Sequence, residues 1–92
     1  MTLEEALTAI IDTIPNNCTV DSHFIINQLI SNYSIEYLDY IRTFTNGSDF
    51  KVIHGKLAQV IDHLGILIKI PKQSYSKNIK GNISQCQLWE KS

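Results

Sequence analysis

The residues best suited to chemistry in this chain are the lysines of its second half, because their ammonium groups could bind phosphate. Residues 46–92 contain seven lysines and three acids, whereas residues 1–45 contain six acids and one arginine. The net charge of −1 therefore conceals a basic region. Charge separation of this kind indicates an anionic partner such as nucleic acid.

Four of these lysines lie in or beside one polar stretch, residues 71–82, which we expect to be a long loop. Phosphate contacts from such a loop would position a protein on nucleic acid without reading its sequence. The alternative is a solvated hairpin tip whose lysines protect a strand edge from aggregation. The candidate phosphate-binding residues are Lys69, Lys72, Lys77 and Lys80. Tyr75 and Asn78 lie between these lysines in the sequence.

Another polar group shares one face of a predicted helix over residues 49–64. Lysine can bind phosphate or guanine, and glutamine can read adenine, so we predict nucleic-acid contacts from Lys51, Lys56 and Gln59. The helix has no arginine, the commonest base reader, and an ordinary solvated face is the alternative. The same face also carries Val52, Gly55 and His63.

The cysteines and histidines do not fall at the spacings of a metal site. Structural zinc ligands come in close pairs, whereas Cys18 and His23 are five residues apart and His54 and His63 are nine apart. There is also no phosphate-binding glycine loop and no nucleophile elbow. We therefore expect no metal, no cofactor and no enzymatic activity. His54 is expected to be a hydrogen-bonded core residue, and Cys18 and Cys86 to be free, buried thiols.

Length and composition predict one globular domain spanning residues 1–92. Hydrophobic residues make up 43% of the chain and charged residues 18%, which is typical of a folded protein. No apolar run approaches the ~20 residues of a membrane span. The first five residues are acidic where a secretory signal would be basic, so we expect a cytoplasmic protein with no membrane partner.

Hydrophobic periodicity and turn residues predict the elements that would position these side chains. A capping box formed by Thr2 and Glu5 begins the first helix, and Asp21 and Ser22 provide an N-cap signal for the next helical region. We predict helices over residues 2–14, 22–44 and 49–64, and strands over residues 18–20, 66–70 and 83–89.

The region 22–44 is either one long helix or two nearly collinear helices with a kink near Ser34. Its apolar stripe is expected to pack mainly in the core, and its remainder could form a homodimer interface. The residues of the stripe are Ile26, Leu29, Ile30, Tyr33, Tyr37, Tyr40, Ile41 and Phe44.

This order of elements resembles a winged helix-turn-helix domain. The resemblance rests on residues 18–20 as the first strand, 49–64 as the recognition helix, and 66–70 with 83–89 as the hairpin whose loop is the wing. It implies a mostly helical α+β fold with an extended second helical region and a C-terminal β-hairpin wing. It also implies duplex DNA as partner and transcriptional regulation as the default role, with protein–protein interaction as the alternative. Residues 21–23 and 76–82 further resemble segments of small bacterial proteins.

Overall fold

The fold is α+β, as the sequence predicts, and its strands form one antiparallel sheet. The computed structural model describes residues 1–44, 50–77 and 81–92 and, of Phe50, the backbone alone. Within these ranges the strand order is β1-β3-β2, so β3 is central. The elements are α1 (Leu3–Asp12), β1 (Cys18–Asp21), α2 (Ser22–Asn32), α3 (Ser34–Ile41), α4 (Phe50–His63), β2 (Ile68–Lys77) and β3 (Ile83–Lys91).

Local signals in the sequence set the starts of α1 and α2. The Thr2 hydroxyl accepts a hydrogen bond from the amide of Glu5 at 3.2 Å, and the Glu5 carboxylate accepts one from the amide of Thr2 at 2.9 Å. These bonds lower the pKa of Glu5, because they favour its charged form. The Asp21 carboxylate accepts a hydrogen bond from the amide of Phe24 at 2.8 Å and so caps α2. Both predicted caps are confirmed.

The helical region 22–44 is divided into two helices at Tyr33. The backbone of Tyr33 leaves the helical region, with φ −136° and ψ 49°, and this residue ends α2 and precedes α3. Of the two alternatives left open by the sequence, two helices is therefore the correct one, and the break lies at Tyr33, one residue before Ser34. The helix ends at Ile41, so Phe44 lies beyond it and packs edge-to-face on Tyr40.

Helix α4 leads directly towards the sheet. It ends at His63, and Gly65 follows with φ 70°, the left-handed conformation that glycine adopts without strain. Strand β2 starts at Ile68, two residues later than predicted. The sequence also predicts that Gly47 ends the preceding helical region and that helix α4 starts at residue 48 or 49, and these residues lie outside the described ranges.

The stretch predicted as a long polar loop is mostly strand, which corrects the sequence-based expectation. Strand β2 continues through residues 71–77 and pairs with β3 as far as Ile83. Ile70 pairs with Leu88 and Ser74 with Cys86, so residues 71–73 face a single residue of β3 in a bulge. The polar composition of residues 71–77 does not predict a strand, because this strand forms through backbone pairing with the distant β3.

The core lies between the helices and the inner face of the sheet. Trp89 of β3 is fully buried, and its indole N–H donates to a carboxylate oxygen of Asp62 on α4 at 3.2 Å. Tyr37 is buried, and Tyr33 and Tyr40 pack against the core, as predicted for the aromatic stripe. The other buried core residues are Ala6, Leu7, Ile10, Ile11, Ile14, Val20, Ile25, Ile26, Leu29, Leu57, Ile61 and Leu67.

A search of the described residues for a helix long and apolar enough to cross a membrane found none.

Candidate nucleic-acid interface

The outer face of α4 is exposed along its length. Ile53, Leu57 and Ile61 bury the opposite side of the helix against the core. The structure thus places the three predicted contact residues of this helix together on one solvent-facing surface. Its exposed residues are Lys51, Val52, Gly55, Lys56, Gln59 and His63.

Strand β2 presents three of the four predicted phosphate-binding lysines to solvent. Lys69 lies near the start of the strand, Lys72 in the bulge and Lys77 at the last residue, where it pairs with Ile83. The fourth, Lys80, lies outside the described residues. The three described lysines therefore follow one β-strand and not a loop.

The inner face of the hairpin is polar where it meets the start of α2. The hydroxyl of Ser74 donates to the second carboxylate oxygen of Asp21 at 3.1 Å. Because the first oxygen caps α2, a single carboxylate joins the helix start to β2. Asp21 is thus both a cap and a positioning residue for the hairpin.

His23 adds a bridge to both strands of the hairpin. Its Nδ1 atom lies 2.9 Å from the hydroxyl oxygen and 3.2 Å from the carbonyl oxygen of Ser76, and its Nε2 atom lies 3.4 Å from the hydroxyl oxygen of Ser84. The Ser76 hydroxyl also approaches the thiol of the buried Cys86 at 3.7 Å. We call His23 with Ser76 and Ser84 the histidine bridge. It fixes the hairpin relative to the helices.

Sequence reasoning missed this bridge, since its residues are 53 and 61 positions apart. The only local signal is the alternation of small polar residues in both strands, which gives one hairpin face a continuous polar character.

Removing the imidazole should loosen the hairpin without unfolding the helices. For His23→Ala we expect faster amide hydrogen exchange in residues 74–77 and 83–86, with little change in α1. The cost in the free energy of unfolding should be about 1 kcal/mol, the net value of a typical hydrogen bond. The matched control is Asn27→Ala, one turn further along α2 and exposed. Equal exchange rates in the wild type and His23→Ala would contradict the role of the bridge.

A second histidine contact joins α3 to α4. The hydroxyl of Tyr37 lies 2.8 Å from Nε2 of His54, which confirms the predicted hydrogen-bonded histidine. Burial lowers the pKa of His54, and the nearby His23 lowers it further. His54 therefore supports the packing of α4 in its neutral form.

The lowered pKa of His54 predicts acid sensitivity of the fold. Below pH about 6.5 the unfolded chain takes up a proton at this residue before the folded protein does, so stability falls as the pH is lowered. In urea unfolding at pH values from about 7.5 to 5.5, we expect His54→Gln to reduce this pH dependence. The exposed His63→Gln is the control and should retain it. An unchanged pH dependence in His54→Gln would contradict this assignment.

The two thiols have different environments. Both cysteines are free, but only Cys86 is buried; Cys18 is exposed, so the prediction of two buried thiols is wrong for it. Cys18 lies on an edge strand, where it lines a groove of about 330 Å³ with Ile14, Pro15 and Phe24. No group of three or more histidine, cysteine or acidic residues within the described ranges could hold a metal ion.

Comparisons of the chain with protein-family models, with curated proteins and with solved structures gave no match.

Proposed function

We propose that this protein is a winged-helix domain that binds duplex DNA, with α4 entering a groove and the β2–β3 hairpin acting as the wing. One observation carries the proposal. Residues 50–77 contain five lysines, all exposed, and a single acid, Asp62. The Asp62 carboxylate accepts the indole hydrogen bond of the buried Trp89. The described residues of α4 and β2 therefore carry an excess of exposed positive charge, and a basic segment of this kind attracts the phosphate backbone.

The connectivity supports the same assignment. Helix α4 is followed directly by β2, and β1 pairs with β3 so that the hairpin is continuous with the sheet. In winged-helix proteins this arrangement carries the recognition helix and the wing. On DNA, Lys56 and Gln59 of α4 would face base edges, whereas Lys69, Lys72 and Lys77 would contact phosphates. Transcriptional regulation is the role we propose for such binding.

The apolar stripe of the second helical region is occupied by the protein's own core. Tyr37 is buried, and Tyr33 and Tyr40 pack against the same cluster. We retain a homodimer on two DNA half-sites as part of the proposal. Its interface would have to be a surface other than this apolar stripe.

A protein-binding role is a second candidate, and one observation favours it. Ile35 and Leu38 of α3 are exposed on the acidic half of the chain, next to Glu36 and Asp39. An exposed apolar and acidic patch is what a protein-interaction module would present, and it lies on a different element from the lysines.

Direct titration separates the two candidates. A labelled pool of mixed-sequence duplex DNA is titrated with the protein at about 50 mM salt and followed by fluorescence anisotropy. We expect a dissociation constant of about 10⁻⁶ to 10⁻⁴ M or tighter, the range of non-specific binding by basic proteins. Absence of binding under these conditions would overturn the DNA proposal and leave the protein-binding candidate.

A further inference from the structure

The exposed side of α3 is an apolar surface with acidic neighbours. Ile35 is 71% exposed and Leu38 49%, and residues three apart on a helix are adjacent. Glu36 follows Ile35 in the sequence, and Asp39 follows Leu38. Asp39 also forms an exposed ion pair with Arg42 at 3.2 Å. We call residues 35, 36, 38 and 39 the α3 patch. Its apolar side chains are not needed for the core.

The outer side of the hairpin is an apolar surface with a basic neighbour. Tyr75 is 68% exposed and Ile83 64%. Strand alternation places them opposite the face that carries the histidine bridge, together with Lys77, which pairs with Ile83. We call these three residues the hairpin patch. It has the same apolar character as the α3 patch and the opposite charge.

We propose that the α3 patch of one molecule docks on the hairpin patch of a second copy, in a head-to-tail contact. Charge complementarity selects this pairing. The Asp39–Arg42 ion pair leaves Glu36 as the excess negative charge of the α3 patch, whereas Lys77 is the charge of the hairpin patch. Two hairpin patches facing each other would bring lysines together, and two α3 patches would bring two Glu36 carboxylates together, so the head-to-tail contact is the one that pairs the excess charges. A head-to-tail contact brings two exposed apolar side chains from each molecule together and places Lys77 near Glu36 or Asp39.

The size of the contact sets its strength. Helix α3 has eight residues and is therefore about 12 Å long, so the contact is smaller than the roughly 1,000 Å² of a stable interface. We expect weak association, with dissociation constants of about 10⁻⁴ M. Because the contact is heterologous, it can continue from molecule to molecule and does not stop at a dimer.

The contact would also regulate DNA binding, and this part of the inference rests on the proposed function. Lys77 would bind either phosphate or the α3 patch, so duplex DNA should compete with self-association.

Sedimentation velocity without DNA tests the contact. For the wild-type protein at about 50 mM salt we expect the mean sedimentation coefficient to rise with concentration, and this rise to shrink at about 500 mM salt, where charges are screened beyond about 4 Å. The double variants Ile35→Ser/Leu38→Ser and Tyr75→Ser/Ile83→Ser should each remain monomeric. All four side chains are exposed, and matching thermal unfolding curves would show that the variants fold.

Mixing the two double variants is the decisive step. Each retains one intact patch, so the mixture should form a one-to-one heterodimer and nothing larger. A mixture that remains monomeric, or a wild-type protein that is monomeric at about 10⁻³ M and low salt, would overturn the proposal. These measurements contain no DNA, so their failure is distinct from failure of the proposed DNA binding.

Discussion

Neutralising the three described lysines of β2 should remove most of the salt dependence of DNA binding. For Lys69→Gln/Lys72→Gln/Lys77→Gln we expect the slope of log K against log salt to become shallower by about 2.7, because each phosphate contact contributes about −0.9. Affinity at about 50 mM salt should fall by roughly tenfold per lysine, because counterion release from each contact is lost. Anisotropy titrations across a salt series measure both quantities.

Two controls make the result specific to charge on this strand. Replacing the same three lysines by arginine keeps the charge and should preserve the slope. Arg42→Gln removes a positive charge from the residue that follows α3, on the acidic half of the chain, and should leave the slope unchanged. If the glutamine variant kept the wild-type slope, β2 would not contact phosphate and the wing assignment would be wrong.

Shortening Leu57 should have the largest effect on stability. Leu57 is fully buried on the inner face of α4, so Leu57→Ala removes packed atoms and leaves a cavity. We expect a loss of about 2–5 kcal/mol in the free energy of unfolding, from a total of about 5–15 kcal/mol for a domain of ordinary stability. Urea unfolding followed by circular dichroism measures the difference.

Val52→Ala is the matched control on the same helix. Val52 is exposed on the outer face of α4, and a surface substitution there should change stability by no more than about 0.5 kcal/mol. If Leu57→Ala lowered the free energy of unfolding as little as Val52→Ala does, α4 would not bury the face that carries Leu57. The assignment of its other face to DNA would then lose its structural basis.

The features that sequence reasoning obtained correctly are those encoded within a few residues. The capping box of Thr2 and Glu5 and the cap at Asp21 each depend on three or four neighbouring positions. Helical periodicity likewise identified the polar face of α4 with Lys56 and Gln59, which is exposed in the structure.

The features that it missed depend on distant parts of the chain. Residues 71–77 are too polar to be recognised as a strand, and they become one because β3 supplies their hydrogen-bond partners. The side chain of Gln87 donates to the carbonyl groups of Ile70 and Leu88 and so satisfies the backbone at the bulge. Nothing local to His23 indicated its contacts with Ser76 and Ser84. Exposure of Cys18 follows from its place on the short edge strand β1.

The salt dependence of wild-type binding to duplex DNA tests the central claim most directly. Contacts from three to five lysines of α4 and β2 predict a slope of about −2.7 to −4.5 for log K against log salt. A slope in this range would show that the basic surface binds the phosphate backbone and would justify selection of a specific site. A slope near zero, or no binding at about 50 mM salt, would contradict the DNA-binding account and make the apolar face of α3 the principal functional surface.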